Sequence, residues 1–136
     1  MVRTSDLTRA LDSAWIIASV VGGDVEPDER LREQHLGSLE GRSYAETWVA
    51  AAEHNWTDLD LPVAGGESPR QVRDRMAAVL DGTDPEAVTV LVSHGDAIRA
   101  ALAHVAGVPS HQAPWVDVPN GAVARVTGRE VTWLTR

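Results

Sequence analysis

VTVLVSHGDAIRA, residues 88–100, holds the strongest structural pattern of the chain. Its first half is an apolar, β-branched run without polar alternation, which predicts a strand over Val88–Ser93 that is buried on both faces of a parallel sheet. From Asp96 to Ala106 the apolar residues recur at helical spacing. His94 and Gly95 therefore stand where a strand ends and a helix begins, the end of the strands at which α/β proteins place their sites.

Further helix and strand patterns lie on both sides of this stretch. Ser68, followed by Pro69 and then Gln71, predicts a helix start that runs to about Asp81. Glycine in a short turn between two alternating segments predicts a hairpin around Gly128 and Arg129. Near the N-terminus we predict a strand stub at 2–5 and a helix from about 6 to 21, with Ser5 or Asp6 as its N-cap. A capping box at Ser43 predicts a second helix that runs to about 55. Loops are predicted at 24–42 and 55–66.

The alternation of strands and helices indicates an α/β fold. We expect a layered, mostly parallel sheet flanked by helices, with a C-terminal β-hairpin. The sequence shows no internal repeat and no interdomain linker, so residues 1–136 are predicted to form one domain.

Composition and charge exclude several classes of function. The formal net charge is −8, and all 12 basic residues are arginines, which argues against a nucleic-acid or anionic-membrane partner. There is no cysteine, and the five histidines lack metal-ligand spacing, so we expect no metal and no cofactor. The apolar stretch near the N-terminus is interrupted by Asp6 and Asp12 and is too short to span a bilayer, which predicts a cytoplasmic protein.

His94 has two interpretations when its own segment is considered alone. It is either a site residue, with Gly95 permitting close approach of a ligand to the backbone, or a histidine that backbone carbonyls satisfy at a strand end. This segment alone favours neither interpretation over the other.

Other segments, taken together in chain order, favour the first interpretation. The chain contains TSDLTRALDSA, LREQHLGSLEGR, GGESPRQVRDR, LVSHGDAIRAAL and VPNGAVARV, from Thr4 to about Val126. In this order they resemble the histidine phosphatase superfamily, the phosphoglycerate mutase-like proteins. The resemblance implies that His94 is the second active-site histidine, Arg9 a phosphate-binding arginine and Glu33 the proton donor.

Phosphoryl chemistry explains these residue types. A phosphoryl group in transfer spreads negative charge over its oxygens, which Arg9 and a protonated His94 would hold. Glu33 would protonate the leaving alcohol, which requires a raised pKa and a water-poor loop. His35, beside Glu33, and Gly95 are expected to line the same pocket. The remaining candidates have less specific interpretations: Glu67 or Glu29 as alternative acids, Arg75 and Arg99 in structural ion pairs, Ser68 as a helix cap, and His54, His104 and His111 at the surface or in packing.

One departure from the family matters for function. Members begin with a strand that ends in Arg-His-Gly and carries the histidine that becomes phosphorylated, whereas this chain begins MVRTSDL. The expected fold is therefore a truncated one. Three interpretations stay open: a domain that binds a small anionic or phosphorylated molecule without phosphoryl transfer, a repurposed enzyme using His94 and Glu33 in acid–base chemistry, or a fragment of an active phosphatase or mutase. An in-frame Arg-His-Gly upstream would establish the third.

The absent strand also has a structural consequence. In the family it would lie next to the strand at 88–93, whose edge would otherwise be open. Either residues 2–5 pair directly beside that strand, or a second copy covers the open edge or the apolar face left bare. We expect a homodimer through this side of the molecule.

Overall fold

The computed structural model describes residues 1–135. Nine helices and strands make up this part of the chain, together with short 3-10 turns. In chain order they are β1 (Val2–Thr4), α1 (Thr8–Val21), β2 (Val25–Pro27), α2 (Tyr44–Glu53), α3 (Pro69–Asp81), β3 (Val90–Val92), α4 (Gly95–Ala106), β4 (Val123–Thr127) and β5 (Glu130–Thr135). The fold is α/β, as predicted.

A three-stranded parallel sheet forms the centre, in the order β2-β1-β3. β1 pairs directly with β3, with Val2 opposite Val90 and Thr4 opposite Val92. Of the two alternatives for the edge of the apolar strand, the structure shows the direct pairing of residues 2–4, which was not the one on which the expected homodimer was based. Within residues 1–135 no strand pairs with the other edge of β3, and β4 and β5 form a separate antiparallel hairpin.

Two apolar clusters cover the faces of this sheet. On one face α1 packs its alanines Ala14 and Ala18 against Val2, with Val90 and Val92 beside them. On the other face Leu91 packs against a cluster from α3, α4 and the segment before residue 34, made of Leu31, Val72, Met76, Val79, Ala97 and Ala101. β3 was predicted to be buried on both faces. It has apolar neighbours on both faces, but its three residues are only half-buried.

The outer face of α1 is also apolar. Ala10, Ala14 and Ala18 lie against the sheet, whereas Trp15, Ile16 and Val20 point to solvent and are 61%, 68% and 81% exposed. A helix that is apolar on opposite faces is normally covered on both. The predicted N-cap was wrong: the helix begins at Thr8 with Leu7 as its cap, because the Ser5 hydroxyl lies two residues too early and accepts only the Leu7 amide.

Local sequence patterns predicted the other boundaries unevenly. Ser43 and Ser68 both form complete capping boxes, as expected, and the hairpin turns at Gly128, whose φ is +60°. The predicted strand at 88–93 is shorter, since Val88 is exposed. The predicted loop at 24–42 contains a strand, β2, because parallel pairing with β1 recruits Val25–Pro27 despite its polar surroundings. Within residues 1–135, no helix is long and apolar enough to cross a membrane.

Candidate functional site

The carboxyl ends of β1 and β3 bring two polar side chains together. The two strands are parallel neighbours, so the residues that follow them, Ser5 and His94, meet at the same edge of the sheet. His94 Nε2 lies 2.9 Å from Ser5 Oγ. Ser5 is fully buried, and its amide donates to the Val92 carbonyl at 2.9 Å, which fixes the contact. One ring nitrogen of His94 is thereby committed to the protein.

Burial and two arginines keep the His94 ring neutral. The pKa of His94 falls to about 4, chiefly because burial removes the imidazolium from water and then because the positive charges of Arg9 and Arg75 repel it. The second ring nitrogen, Nδ1, makes no hydrogen bond within residues 1–135 and is not sealed from solvent. His94 therefore faces its surroundings with a neutral, partly accessible ring.

Arg9 is a positive charge without a protein counterion. It lies on the first turns of α1, close enough to act on His94. Its guanidinium makes no ion pair and no side-chain hydrogen bond to any other part of the chain that the structure describes. The nearby arginines differ, since Arg32 pairs with Asp6 and Arg75 pairs with Glu67. Arg9 is thus free to bind an anion beside His94.

Glu33 occupies the start of α4. Its carboxylate accepts the backbone amides of Asp96 at 3.2 Å and Ala97 at 3.1 Å, which are two of the four N-terminal amides that a helix leaves unpaired. Burial raises the pKa of Glu33, and the Asp96 carboxylate raises it further, against the lowering effect of these amides. Glu33 is thus half-buried and has a raised pKa.

Arg75 ties the site segments together. Its guanidinium makes two hydrogen bonds to the Glu67 carboxylate, at 2.8 and 2.9 Å, and donates to the carbonyls of Arg30, Arg32 and Glu33. Burial opposes ionisation of Glu67, yet the hydrogen bonds from Arg75 leave its pKa lowered. Glu67 is thus held as a carboxylate in an ion pair, which disfavours it as the working acid.

His35 makes its hydrogen bonds to residues other than Arg9, Glu33 and His94. Its amide donates to Glu67 at 2.9 Å, and its Nδ1 accepts the Gly37 amide at 3.1 Å. Gly37 and Gly66 cross so closely that a Cβ on either would collide with backbone of the opposite segment. This crossing holds His35 on the exposed side of the loop, and none of its contacts reaches Arg9, Glu33 or His94. Gly95, in contrast, begins α4 next to Glu33.

Metal coordination finds no support in the side-chain arrangement. Among residues 1–135, no three histidine or carboxylate side chains converge as a metal site would require.

Of the residues with less specific interpretations, Arg99 pairs with Asp96 at 2.8 Å and Ser68 caps α3. These two interpretations were correct.

Two members of this site were missed at the sequence level. Ser5 was considered only as a helix cap, although its place directly after a strand that neighbours β3 would have marked it. Arg75 was interpreted as a structural ion pair, which is correct but omits its effect on His94. Helical periodicity gives no information on which residue of another element faces a given side chain.

Comparison with known proteins identifies the family of this chain. The family model described as histidine phosphatase superfamily (branch 1) matches residues 1–136. A relative from Shigella boydii serotype 18, "Probable phosphoglycerate mutase GpmB", is 33% identical over 96% of this chain and 64% of its own length. The chain thus spans somewhat less than two thirds of that relative. The fold and the strand-end histidine define a phosphoglycerate mutase-like domain, and the chain belongs to the histidine phosphatase superfamily.

Solved structures show the same fold. The mycobacterial glucosyl-3-phosphoglycerate phosphatase Rv2419c in complex with VO3 has a TM-score of 0.73 and 28% identity, covering 97% of this chain and 72% of that one. Bacillus stearothermophilus YhfR has a TM-score of 0.73 and 28% identity, covering 98% and 71%. The same mycobacterial phosphatase with inorganic phosphate has a TM-score of 0.67 and 34% identity, covering 82% and 60%.

Proposed function

We propose that this domain binds a phosphate-bearing small molecule between Arg9 and His94, with Glu33 at the edge of the site. The observation that carries the proposal is the unpaired guanidinium of Arg9 beside a histidine whose ring is accessible through one nitrogen. A guanidinium fork matches two phosphate oxygens. A structural relative has been solved with inorganic phosphate, which supports the same ligand class here.

Electrostatics gives the expected response of the site to its ligand. The positive charges of Arg9 and Arg75 contribute to the low pKa of His94 in the free protein. A phosphate dianion would offset this repulsion and raise the His94 pKa, so binding takes up a proton. Addition of phosphate should therefore raise the pKa of His94, which NMR titration of the ring protons with and without phosphate would detect.

Turnover is the second part of the proposal. Phosphoryl transfer in this superfamily uses a histidine that becomes phosphorylated, and no side-chain contact in residues 1–135 joins His94 to another histidine. We infer that this chain hydrolyses phosphomonoesters very slowly or not at all. Robust release of p-nitrophenol from p-nitrophenyl phosphate, together with a phosphohistidine trapped at His94, would overturn this inference and make His94 the nucleophile.

Acid–base catalysis without phosphoryl transfer is the alternative. It is favoured by the opposite pKa shifts of Glu33 and His94, which are typical of working acids and bases. Against it, the Glu33 carboxylate binds the α4 amides and the His94 ring binds Ser5, so the two groups do not contact each other. The geometry therefore supports anion binding better.

Isothermal titration with inorganic phosphate tests the binding proposal. We expect weak, saturable binding by the wild-type protein, and at least tenfold weaker binding by Arg9→Ala, since one charge-assisted phosphate contact is lost. Arg125→Ala, on the hairpin, is the matched control and should bind as the wild type does. Equal affinity for Arg9→Ala and wild type would refute the site.

A further inference from the structure

An exposed tryptophan lies beside the candidate site. Trp115 follows α4 in the chain and is 77% exposed. One face of its ring is covered by the guanidinium of Arg99, whose Cζ lies 3.9 Å from the ring centroid. The indole is thus held in place by a cation–π contact while most of its surface stays open to solvent.

Arg99 is itself fixed by two further contacts. Its Nε donates to the Val116 carbonyl at 2.7 Å, and its Nη1 donates to the Asp96 carboxylate at 2.8 Å. The first contact anchors the segment that carries Trp115, and the second anchors Arg99 to the first turn of α4. The position of Trp115 is therefore coupled to the start of α4 rather than free to vary with its own loop.

The same start of α4 binds Glu33. A Cβ placed on Gly95 would lie 3.2 Å from Arg99 Nη1 and 3.9 Å from Glu33 Oε2, so the guanidinium and the carboxylate both approach this glycine. Asp96 connects them directly, because its amide donates to Glu33 and its carboxylate accepts from Arg99. Two residues, Arg99 and Asp96, thus connect Trp115 to Glu33 at the edge of the anion site.

From this arrangement we propose that Trp115 is a stacking surface for the organic part of a phosphate ester whose phosphate is held by Arg9 and His94. The inference rests on the proposed function and names its ligand class: phosphomonoesters of ring-bearing alcohols, with an apolar ring face that lies against the open face of the indole. Aromatic rings prefer offset or edge-to-face contact with such a surface. A small alkyl ester would reach the anion site and leave Trp115 uncovered.

Three ligands and four variants test the inference in binding assays. Inorganic phosphate, methyl phosphate and phenyl phosphate share the anionic group and differ in the ring. We expect the wild-type protein to bind phenyl phosphate roughly five- to tenfold more tightly than methyl phosphate, a ratio typical of one aromatic contact. Trp115→Ala should abolish that preference and leave the affinity for methyl phosphate unchanged, whereas Trp115→Phe should retain part of it.

Two further variants test whether the position of Trp115 matters, or whether any exposed tryptophan has the same effect. Arg99→Ala removes the contact that orients Trp115 and should reduce the preference for phenyl phosphate as well. Trp48→Ala removes another exposed tryptophan, 66% exposed on α2, and should leave all three affinities unchanged. Circular dichroism and thermal unfolding of each variant confirm that the fold is retained.

The outcomes distinguish this inference from the function on which it rests. Binding of inorganic phosphate with equal affinity for the phenyl and methyl esters would overturn the role of Trp115 and leave the anion site standing. A preference for phenyl phosphate that survives in Trp115→Ala would do the same. Absence of binding by all three ligands would overturn both proposals.

Discussion

Replacing His94 by glutamine should make the protein's stability less sensitive to acid. In the native state the pKa of His94 falls to about 4, because of burial first and then of the charges on Arg9 and Arg75. In the unfolded chain an imidazole takes up its proton near pH ~6.5. The unfolded state therefore binds more protons than the native state between these two pH values, and linkage requires stability to fall as pH drops through this window.

The size of the effect follows from the width of that window. Each unit of pKa difference corresponds to about 1.4 kcal/mol, which sets an upper limit of about 2 kcal/mol on the stability lost through His94 between pH 7.5 and pH 5. Because the ring is only half-buried, solvent screening reduces the expected loss to about 1 kcal/mol. His94→Gln keeps a polar side chain beside Ser5 and removes the titration. Its free energy of unfolding should therefore decline less between pH 7.5 and pH 5 than that of the wild type, by about 1 kcal/mol.

Urea unfolding at pH 7.5, 6.5, 5.5 and 5.0 measures this difference. His111→Gln, at an exposed position, is the matched control for loss of one imidazole and should follow the wild-type curve. NMR titration of the histidine ring protons provides an independent readout, with the His94 signal identified by its loss in the variant. Parallel stability curves for wild type and His94→Gln would refute the reasoning, as would a His94 titration near pH 6.5.

Four other predictions concern the stability and the oligomeric state of the protein. Arg75→Ala should lower the free energy of unfolding, measured by urea titration, by about 3 kcal/mol, since it leaves half-buried Glu67 and three carbonyls without their partner. Arg70→Ala is the control: its ion pair is exposed, and its loss should cost under about 0.5 kcal/mol in the same titration. Glu33→Ala should cost about 1–2 kcal/mol because two α4 amides lose their acceptor, and a loss below a few tenths in thermal unfolding would contradict the capping contact. Gly66→Ala should destabilise by more than about 2 kcal/mol, as judged by its urea midpoint, because its Cβ meets backbone rather than a movable side chain. Homodimerisation stays a prediction: light scattering after size exclusion should give twice the chain mass at micromolar concentration and a monomer for Trp15→Glu, and a monomeric wild type would refute it.

Local patterns in the sequence were sufficient for much of the fold. The capping boxes at Ser43 and Ser68, the hairpin at Gly128 and the strand-to-helix change at His94 each depend on residues a few positions apart. Short-range hydrogen bonds and steric preferences determine such features, so the chain encodes them where they occur. The family resemblance likewise followed from ordered segments of the sequence, and the family match confirms it.

Tertiary structure decided what the site residues do. The contact of Ser5 with His94 spans 89 positions, and that of Arg75 with the Glu33 carbonyl spans 42. The charge on Arg9 acts on His94 because α1 packs on the face of the sheet that contains β3, and this proximity contributes to a neutral imidazole. Pairing of β1 with β3 brought these groups together, since a parallel sheet gathers the ends of strands that are distant in the chain.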